Sequence, residues 1–352
     1  MTPQIAIIGC GAPGRGQARG HVRGYLENGA EIVALCDISR ENAENLRESF
    51  GFHDARIYTD FNELFASEKL DMISICLWPH LHAPVAMAAA KSGNVRAIHC
   101  EKPVAPTWSD ALQMVETCEK AGVQLTFNHQ RRFNAAFIAA REIVASGEIG
   151  EVVSMEAWCM DLFDWGTHWF DAMASFNGEA RAKWVFGQVE TRGAFAIFGV
   201  PIEKLGLAHL EYENGVRATL VGTRFEEMWN GLRVRVNGSK GILEVGQPKH
   251  DDGLGLRIFD SQNGWRGLDA PAEKDDSGVY ARVMSEVLGC LKSGETSVLN
   301  AQSALKTTEI IFAAYESARR GERVHLPLDA ALKNPLKELL SERGALPAGV
   351  LI

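Results

Sequence analysis

The chain has 352 residues, 46% of them hydrophobic and 23% charged, which is enough apolar material for two separate cores. Its 45 acidic residues outnumber the 36 basic ones, and the net charge of −9 disfavours a nucleic acid or another polyanion as partner. The sequence has no apolar run of the ~18 residues that cross a bilayer, so the expected partner is a small molecule, not a membrane.

The first third of the chain alternates short apolar runs with helical stretches. The apolar runs predict five strands: Ile5–Ile8, Glu31–Cys36, Met72–Leu77, Ala97–Cys100 and Gln124–Phe127. The stretches between and after them predict helices at 13–28, 40–50, 60–67, 82–92 and 108–121. This alternation is typical of a doubly wound parallel sheet, and it predicts an α/β domain over residues 1–128.

After Asn128 the pattern changes to one helix near 133–146 and then to longer alternating strands. The strands are predicted at Glu151–Cys159, Lys183–Glu190, Leu207–Tyr212, Val216–Gly222 and Leu232–Val236. Helical periodicity returns at 279–293 and 300–320. We therefore expect an α+β domain with a largely antiparallel open sheet over residues 129–352, whose final helices can pack back on the first domain.

A glycine-rich turn, GCGAPGRGQARG, follows the first predicted strand. Gly9, Gly11 and Gly14 form the G-x-G-x-x-G pattern of dinucleotide-binding Rossmann folds, in which glycines allow a tight turn and close approach of the pyrophosphate. Amides at the helix start favour the pyrophosphate, Pro13 is tolerated in the first helical turn, and Arg15 is the candidate phosphate contact. A glycine-rich turn without a ligand is the alternative.

The glycines continue at a spacing of four, at Gly16, Gly20 and Gly24. This spacing leaves one face of the predicted helix bare. We therefore expect that face to lie close against another element.

Asp37 ends the second predicted strand, EIVALCD. A carboxylate at this place accepts hydrogen bonds from the adenosine ribose hydroxyls and repels a 2′-phosphate, so it favours NAD over NADP. Ser39 and Arg40 follow closely and could instead receive a phosphate. NADP is therefore kept as the alternative cofactor.

The stretch HCEKPVAP places Glu101, Lys102 and Pro103 just past the strand predicted at Ala97–Cys100. Ligands of open α/β sheets bind outside the carboxyl ends of the strands, so Glu101 and Lys102 are candidate cofactor contacts. An ammonium group beside a bound nicotinamide can stabilise an alkoxide or help to move its proton. A surface Lys-Pro turn is the alternative, and this stretch alone does not decide between them.

The glycine-rich turn and the Glu101-Lys102-Pro103 turn, together with four further stretches, make the chain resemble the Gfo/Idh/MocA family of oxidoreductases. The four stretches are LWPHLHAP (77–84), FNHQRRF (127–133), DLFDWGTHWFD (161–171) and NGSKGILEV (237–245). The motifs extend over most of the chain, and only their combination is specific. The resemblance implies hydride transfer between the nicotinamide of NAD or NADP and a secondary alcohol of a sugar, glycoside or cyclitol.

In that family a D-x-G-x-H-x-x-D pattern carries the acid/base pair, and here it falls on Asp164, Gly166, His168 and Asp171. A helical turn would put Asp164 and His168, which are four residues apart, on one face. The resemblance implies that His168 exchanges the hydroxyl proton, Asp164 orients it, and Lys102 stabilises the oxyanion. A core histidine on an amphipathic helix is the alternative for His168.

The resemblance also implies roles for residues around these motifs. Asn128 and Arg132, at the domain junction, resemble the interdomain residues of the family and are expected to contact substrate. Arg132 can equally be a salt-bridge partner, and Arg131 is the alternative residue for its role. Trp165 is expected near the sugar ring, with core packing as the alternative. His82 is expected beside the cofactor, and because no further ligands accompany His80-x-His82 at a useful spacing, we predict no metal site.

One further implication and two departures concern the shape of the site. The resemblance implies that the Lys102–Pro103 peptide bond is cis. Asp161-Leu162-Phe163 stands where relatives often have a glycine pair, and Trp78 stands where a small or polar residue is more common. Both departures bear on the shape of the substrate pocket.

Two other activities fit the same motifs. A redox-neutral enzyme could retain its NAD and act through a keto-sugar, as an oxidation-elimination glycosidase or an epimerase-like enzyme. A non-catalytic NAD-binding sensor is the third hypothesis. Lys102, Asp164 and His168 count against the sensor, because binding alone does not need an acid/base set.

Assembly and compartment follow from the resemblance and from the cysteines. The second domain of the family commonly associates through the outer face of its sheet, so we expect a homo-oligomer, a dimer or a tetramer. The seven cysteines form no C-x-x-C pair, and their odd number argues against a complete disulfide framework. No basic segment precedes the first strand pattern. We expect a cytoplasmic protein.

Overall fold

The computed structural model describes residues 2–14, 16–225, 231–246, 255–269, 273 and 276–351. It consists of two compact units, each formed by two stretches of chain. The first unit comprises Met1–Gln130 and Lys274–Leu305, and the second comprises Arg131–Glu273 and Lys306–Ile352.

The first unit contains a six-stranded parallel sheet in the order β3-β2-β1-β4-β5-β6. Its strands are β1 (Gln4–Ile8), β2 (Glu31–Cys36), β3 (Arg56–Tyr58), β4 (Leu70–Ile75), β5 (Val95–Cys100) and β6 (Gln124–Phe127). The central strands are apolar on both faces because helices cover both. The chain order reverses between β1 and β4, and ligands of such sheets bind at the carboxyl ends beside this point.

Five helices join these strands: α1 (Ala18–Glu27), α2 (Arg40–Phe50), α3 (Phe61–Ser67), α4 (Pro79–Ser92) and α5 (Trp108–Lys120). Side-chain caps define several of their starts. Ser39 Oγ accepts the Asn42 amide at the start of α2, and Thr107 Oγ1 accepts the Asp110 amide at the start of α5. The predicted parallel α/β pattern is therefore confirmed.

The first helix begins later than predicted. The expected start at residue 13 is wrong, because α1 begins at Ala18 and Pro13 lies in the preceding turn. Gly11, Gly14 and Gly16 adopt φ values of +70°, +72° and +97°, which are outside the right-handed helical region. The glycine-rich segment is thus an extended turn ahead of the helix.

A 3₁₀ turn (Gln130–Phe133) contains the boundary between the units: Gln130 belongs to the first unit and the rest of the turn to the second. Helix α6 (Ala135–Ser146) follows. Strand β7 (Val152–Cys159) then leads to α7 (Gly166–Phe176). The following strands are β8 (Ala182–Glu190), β9 (Phe195–Ile197), β10 (Val200–Ile202), β11 (Leu205–Tyr212), β12 (Arg217–Thr223), β13 (Leu232–Gly238), β14 (Gly241–Gly246), β15 (Leu256–Asp260) and β16 (Gly264–Gly267).

The remaining elements are α8 (Ser277–Ser293), α9 (Ala301–Arg320), β17 (Val324–His325) and α10 (Pro335–Glu342). The large sheet of the second unit has the order β16-β15-β14-β13-β7-β12-β11-β8-β17, and β9 pairs with β10 in a separate hairpin. Strands β7 and β12 run parallel, and the other neighbours in the large sheet run antiparallel. The predicted largely antiparallel sheet is therefore confirmed. Within the described residues no helix has the length and apolar character needed to cross a bilayer.

Helix α8 belongs to the first unit and packs against α1. The contact lies at Gly20 and Gly24, the two glycines on the bare face of α1. A Cβ atom at Gly20 would lie 2.6 Å from the Tyr280 ring, and one at Gly24 would lie 2.6 Å from the Tyr280 carbonyl oxygen. The predicted close contact is confirmed for Gly20 and Gly24, whereas Gly16 lies in the turn before α1 and not on the helix face.

Replacing Gly24 with alanine is expected to lower the melting temperature by several degrees, because the methyl group would also meet Met284 Cγ at 2.7 Å. Overpacking of this kind costs ~1–3 kcal/mol. The matched control is Gly289→Ala in α8, where no heavy atom in the described part of the chain lies within 4 Å of the added Cβ. The control should gain up to ~1 kcal/mol from helix propensity. Circular dichroism melting curves would contradict the close contact if both variants shifted alike.

Candidate functional site

The glycine-rich turn has the bare backbone that a pyrophosphate needs. Gly9 has a φ of +89°, and a Cβ there would lie 2.5 Å from the Cys76 carbonyl oxygen at the end of β4. At Gly14 an added Cβ would meet no heavy atom of the described residues within 4 Å, so this side of the turn is open. The turn therefore fits a diphosphate group. The predicted phosphate contact Arg15 lies outside the described residues.

Asp37 lies at the end of β2 beside this turn, with 8% of its surface exposed. Its Oδ2 accepts the Cys10 amide at 2.8 Å, and its Oδ1 accepts the Ser39 amide at 2.9 Å and Asn42 Nδ2 at 3.2 Å. These donors fix the carboxylate next to the glycine turn. The arrangement fits the ribose contact predicted for this residue, and the contact itself stays a prediction.

Glu101 anchors the turn that carries Lys102. Its Oε1 accepts His21 Nε2 at 2.9 Å and Asn128 Nδ2 at 2.7 Å, and its Oε2 accepts the Lys102 amide at 3.2 Å. Burial alone would raise the pKa of Glu101, but the hydrogen bond and charge of His21, the Asn128 amide and the Lys102 charge lower it to about 2. The carboxylate is therefore charged, and the Lys102–Pro103 bond is cis, as the resemblance implied.

His21 is a site residue that the sequence reasoning missed. It is completely buried, and its Nδ1 lies 3.0 Å from Ser74 Oγ, which in turn lies 2.8 Å from the Tyr25 hydroxyl. The available signal was the pair His21 and Tyr25, four residues apart on the buried face of α1. Asn128, predicted to contact substrate, lies in this network through its bond to Glu101.

His82 connects the ends of two segments at the same edge of the sheet. It is completely buried, with Nδ1 2.9 Å from the Pro103 carbonyl oxygen and Nε2 3.0 Å from the Leu77 carbonyl oxygen. Burial lowers the pKa of His82 against the effect of these carbonyls. The geometry favours an indirect role, in which His82 holds the Glu-Lys-Pro turn, and a direct cofactor contact stays a prediction.

The predicted acid/base pair lies around the start of α7 in the second unit. Helix α7 begins at Gly166, so Asp164 lies in the preceding turn and not on the helix, which corrects the helical interpretation. The Asp164 and Trp165 amides both bond to Asp161 Oδ1, which fixes the turn that precedes the helix. Asp164 is 8% exposed and His168 is 3% exposed.

Arg132 forms a buried ion pair with Asp171, the last residue of the D-x-G-x-H-x-x-D pattern. Its Nε and Nη2 donate to the two Asp171 oxygens at 2.6 and 2.7 Å, and Nη1 donates to Glu179 at 2.7 Å. Burial opposes the charge, but the two carboxylates raise the pKa of Arg132 above its usual value. Arg132 therefore forms the salt bridge that was the alternative interpretation of this residue. A contact of Arg132 with substrate stays a prediction.

The aromatic residues of this segment have different environments. Trp165 is half-buried, whereas Trp169 is completely buried and stacks on Phe137 with ring centroids 5.6 Å apart. Trp169 therefore belongs to the core, and Trp165 stays the candidate for a sugar ring.

Among the described residues, no group of three or more histidine, cysteine, aspartate or glutamate side chains could hold a metal ion. The ring nitrogens of His82 lie against backbone carbonyls, as described above.

Comparison with known proteins gives the family context. A family model described as "Oxidoreductase family, NAD-binding Rossmann fold" matches residues 4–129, and one described as "GFO/IDH/MocA C-terminal domain" matches residues 160–244. The two models together match more than half of the chain. The first unit therefore contains an NAD-binding Rossmann domain.

Two relatives and one solved structure extend the likeness to nearly the whole chain. D-apiose dehydrogenase of Paraburkholderia graminis is 29% identical over 91% of this chain and 89% of its own. D-glucoside 3-dehydrogenase of Escherichia coli is 24% identical over 92% of this chain and 97% of its own. An oxidoreductase of Agrobacterium radiobacter, crystallised with NAD+, L-tartaric acid and magnesium, has a similar fold, with a TM-score of 0.75, 22% identity, and coverage of 92% of this chain and 98% of that one.

Proposed function

Because the chain belongs to the Gfo/Idh/MocA family of NAD-binding oxidoreductases, we propose that it is an NAD-dependent dehydrogenase of a sugar, glycoside or cyclitol. The observation that carries the proposal is the anchored Glu101 carboxylate, which fixes the Lys102 backbone at the carboxyl end of β5. The relatives named D-apiose dehydrogenase and D-glucoside 3-dehydrogenase support the sugar class.

Each proposed role follows from the chemistry of the residue. The amides of the glycine turn bind the pyrophosphate, and Asp37 accepts the ribose hydroxyls. Bound NAD supplies a hydride acceptor at C4 of its nicotinamide. The imidazole of His168 takes the proton of the substrate hydroxyl, the Lys102 ammonium stabilises the oxygen as negative charge develops, and Asp164 orients the imidazole.

The remaining predicted contacts complete the proposal. Trp165, half-buried, offers an aromatic face to the ring of the substrate. Asn128 and Arg132 act through the bonds that hold Glu101 and Asp171 in place.

The test is NADH formation at 340 nm with a panel of sugars, glycosides and inositols, together with analysis of the products. The proposal predicts one NADH for each keto product. Product without NADH accumulation, abolished when cofactor is stripped from the enzyme, would replace it with the redox-neutral reaction. Tight NAD binding without turnover on the whole panel would favour the sensor.

Replacing Asp37 with alanine is expected to shift cofactor preference from NAD toward NADP by about tenfold or more in kcat/KM, since it removes both the ribose acceptor and the charge that repels a 2′-phosphate. The exposed Asp54→Ala is the matched control and should behave as wild type. Steady-state rates with both cofactors measure the effect. Wild-type enzyme that uses NADP several-fold better than NAD would contradict the assignment.

We also propose a homo-oligomer, a dimer or a tetramer, formed through the outer face of the large sheet. Along β11 the buried Ala208 and Leu210 alternate with half-buried Leu207 and His209, so the second face of the sheet also carries apolar area. A monomer mass in light scattering would contradict this.

The seven cysteines all lie in the described part of the chain and are free thiols, which supports a cytoplasmic location.

A further inference from the structure

Two buried carboxyl groups hold the turn that precedes α7. Asp161 and Glu203 are both 0% exposed. Glu203 Oε1 accepts the Leu162 amide at 2.6 Å, and its Oε2 accepts the Tyr315 hydroxyl at 2.6 Å. Asp161 Oδ1 accepts three further amides: Phe163 at 3.1 Å, Asp164 at 2.6 Å and Trp165 at 3.1 Å. Four consecutive amides, 162–165, are thus bound by two side chains.

Two glycines in the sheet leave the space that the turn and the Glu203 carboxyl group occupy. Gly206 of β11 and Gly222 of β12 are directly paired. A Cβ at Gly206 would lie 2.7 Å from Glu203 Oε1, and one at Gly222 would lie 2.9 Å from Asp161 Cα. Because glycine weakens a strand interior, its presence in both strands is explained by this close approach of backbone and carboxyl group.

Only one of the two carboxyl groups is ionised at neutral pH. Burial, and then the charge of Asp161, raises the pKa of Glu203 to about 8, against the opposing effect of the Tyr315 and Leu162 donors. Asp161 accepts three amides and is the better place for the charge. At neutral pH, Glu203 is therefore mostly protonated and Asp161 carries the charge.

Among the described groups whose charges act on this pair, Cys159 and Tyr315 stay neutral at neutral pH. Burial raises the pKa of Cys159, at the end of β7, and of Tyr315, on α9, well above their ordinary values. The charge of the buried Arg233, on β13, opposes the rise for Cys159. A second carboxylate beside Asp161 would therefore place two like charges in a buried site.

We propose that Glu203 is a positioning residue for the acid/base turn: protonated, it accepts the Leu162 amide without repelling Asp161, and its ionisation places a second buried negative charge beside Asp161, whose repulsion outweighs the stronger bond to Leu162 and loosens the turn that carries Asp164. The catalytic consequence rests on the function proposed above, whereas the structural consequence does not. The dehydrogenase would then lose its ordered acid/base turn at alkaline pH.

Hydrogen exchange of a peptide containing residues 162–165 tests the structural part, with wild type and Glu203→Gln compared at pH 7 and pH 9. Glutamine keeps an acceptor for Leu162 but cannot ionise. Wild type should exchange as the variant does at pH 7 and about tenfold faster at pH 9. Equal exchange at pH 9 would overturn the proposal.

Two further variants sharpen the test. Glu309→Gln is the matched control, since Glu309 is also a buried glutamate with a raised pKa, due to burial, that accepts a backbone amide, from Leu328 at 2.8 Å. It should leave exchange at 162–165 as in wild type.

Tyr315→Phe removes a hydroxyl that favours the charged form of Glu203, so the alkaline increase in exchange should begin at higher pH. This variant serves as the test if Glu203→Gln does not fold, and an unchanged onset would overturn the proposal.

The pH dependence of stability gives a second readout. Because the pKa of Glu203 is raised from 4.5 to about 8 on folding, wild type should lose stability relative to Glu203→Gln as pH rises from about 5 to about 8, and the difference should level off above. Melting temperatures measure this, and a constant difference would contradict it.

The activity profile separates this proposal from the proposed function. With an active wild type, kcat/KM should fall above about pH 8 in wild type but not in Glu203→Gln. Identical profiles would overturn the positioning role. Absence of turnover on the whole panel, together with the alkaline exchange difference, would overturn the dehydrogenase proposal and support the structural role of Glu203.

Discussion

Replacing Lys102 with methionine is expected to lower kcat by ~10²-fold or more while the Kd for NAD changes little. The Lys102 backbone is fixed by the Glu101 carboxylate, which His21 and Asn128 hold in its charged form. The half-buried side chain can then present its charge to the developing oxyanion without rearrangement of the backbone. Methionine has a similar length but no charge, so the loss reports electrostatic stabilisation.

The matched control for this variant is Lys91→Met, at the exposed end of α4. It should keep wild-type turnover. NADH formation gives kcat, and fluorescence titration of NADH gives the Kd of the cofactor. Wild-type turnover in Lys102→Met would refute the role, and loss of NADH binding would show that Lys102 holds cofactor and not the oxyanion.

Replacing His168 with alanine is expected to lower kcat by a similar ~10²-fold or more, because the hydroxyl proton then has no positioned acceptor near neutral pH. His168 is 3% exposed, in the first turn of α7, and follows the turn that Asp161 organises. His168→Gln keeps much of the volume and polarity but not the proton exchange, so it should lose activity to a similar extent.

The exposed His325→Ala is the control for a general effect of histidine removal. Melting temperatures should show that the His168 variants are folded. If His168→Gln retains the wild-type kcat, then His168 is a packing residue, as the core alternative holds, and the acid/base must be sought elsewhere.

The parallel sheet was predictable because its strands are apolar runs between helices. Strand β6 and helix α2 have the predicted bounds, since each has clear signals at both ends. Strand β3 was missed because its three residues, Arg56–Tyr58, are only partly buried and give no apolar run. The start of α1 was misplaced because periodicity does not reveal the left-handed backbone at Gly14 and Gly16.

The candidate site was predictable where neighbours in sequence are neighbours in space. The glycine turn and the Glu101-Lys102 turn are of this kind. The groups that hold them are distant in sequence: His21 lies 80 residues before Glu101, and Glu203 lies 41 residues after Leu162. Buried polar side chains of this type have no periodic signal, so only the fold reveals them.

We propose that the Lys102 ammonium and the His168 imidazole act on the same substrate hydroxyl. A crystal structure of the enzyme with NADH and a bound sugar or cyclitol tests it most directly. We expect Lys102 Nζ and a ring nitrogen of His168 each to lie within about 3.5 Å of one substrate oxygen, beside C4 of the nicotinamide. A complex in which either group is too far from that oxygen even for one bridging water would contradict it.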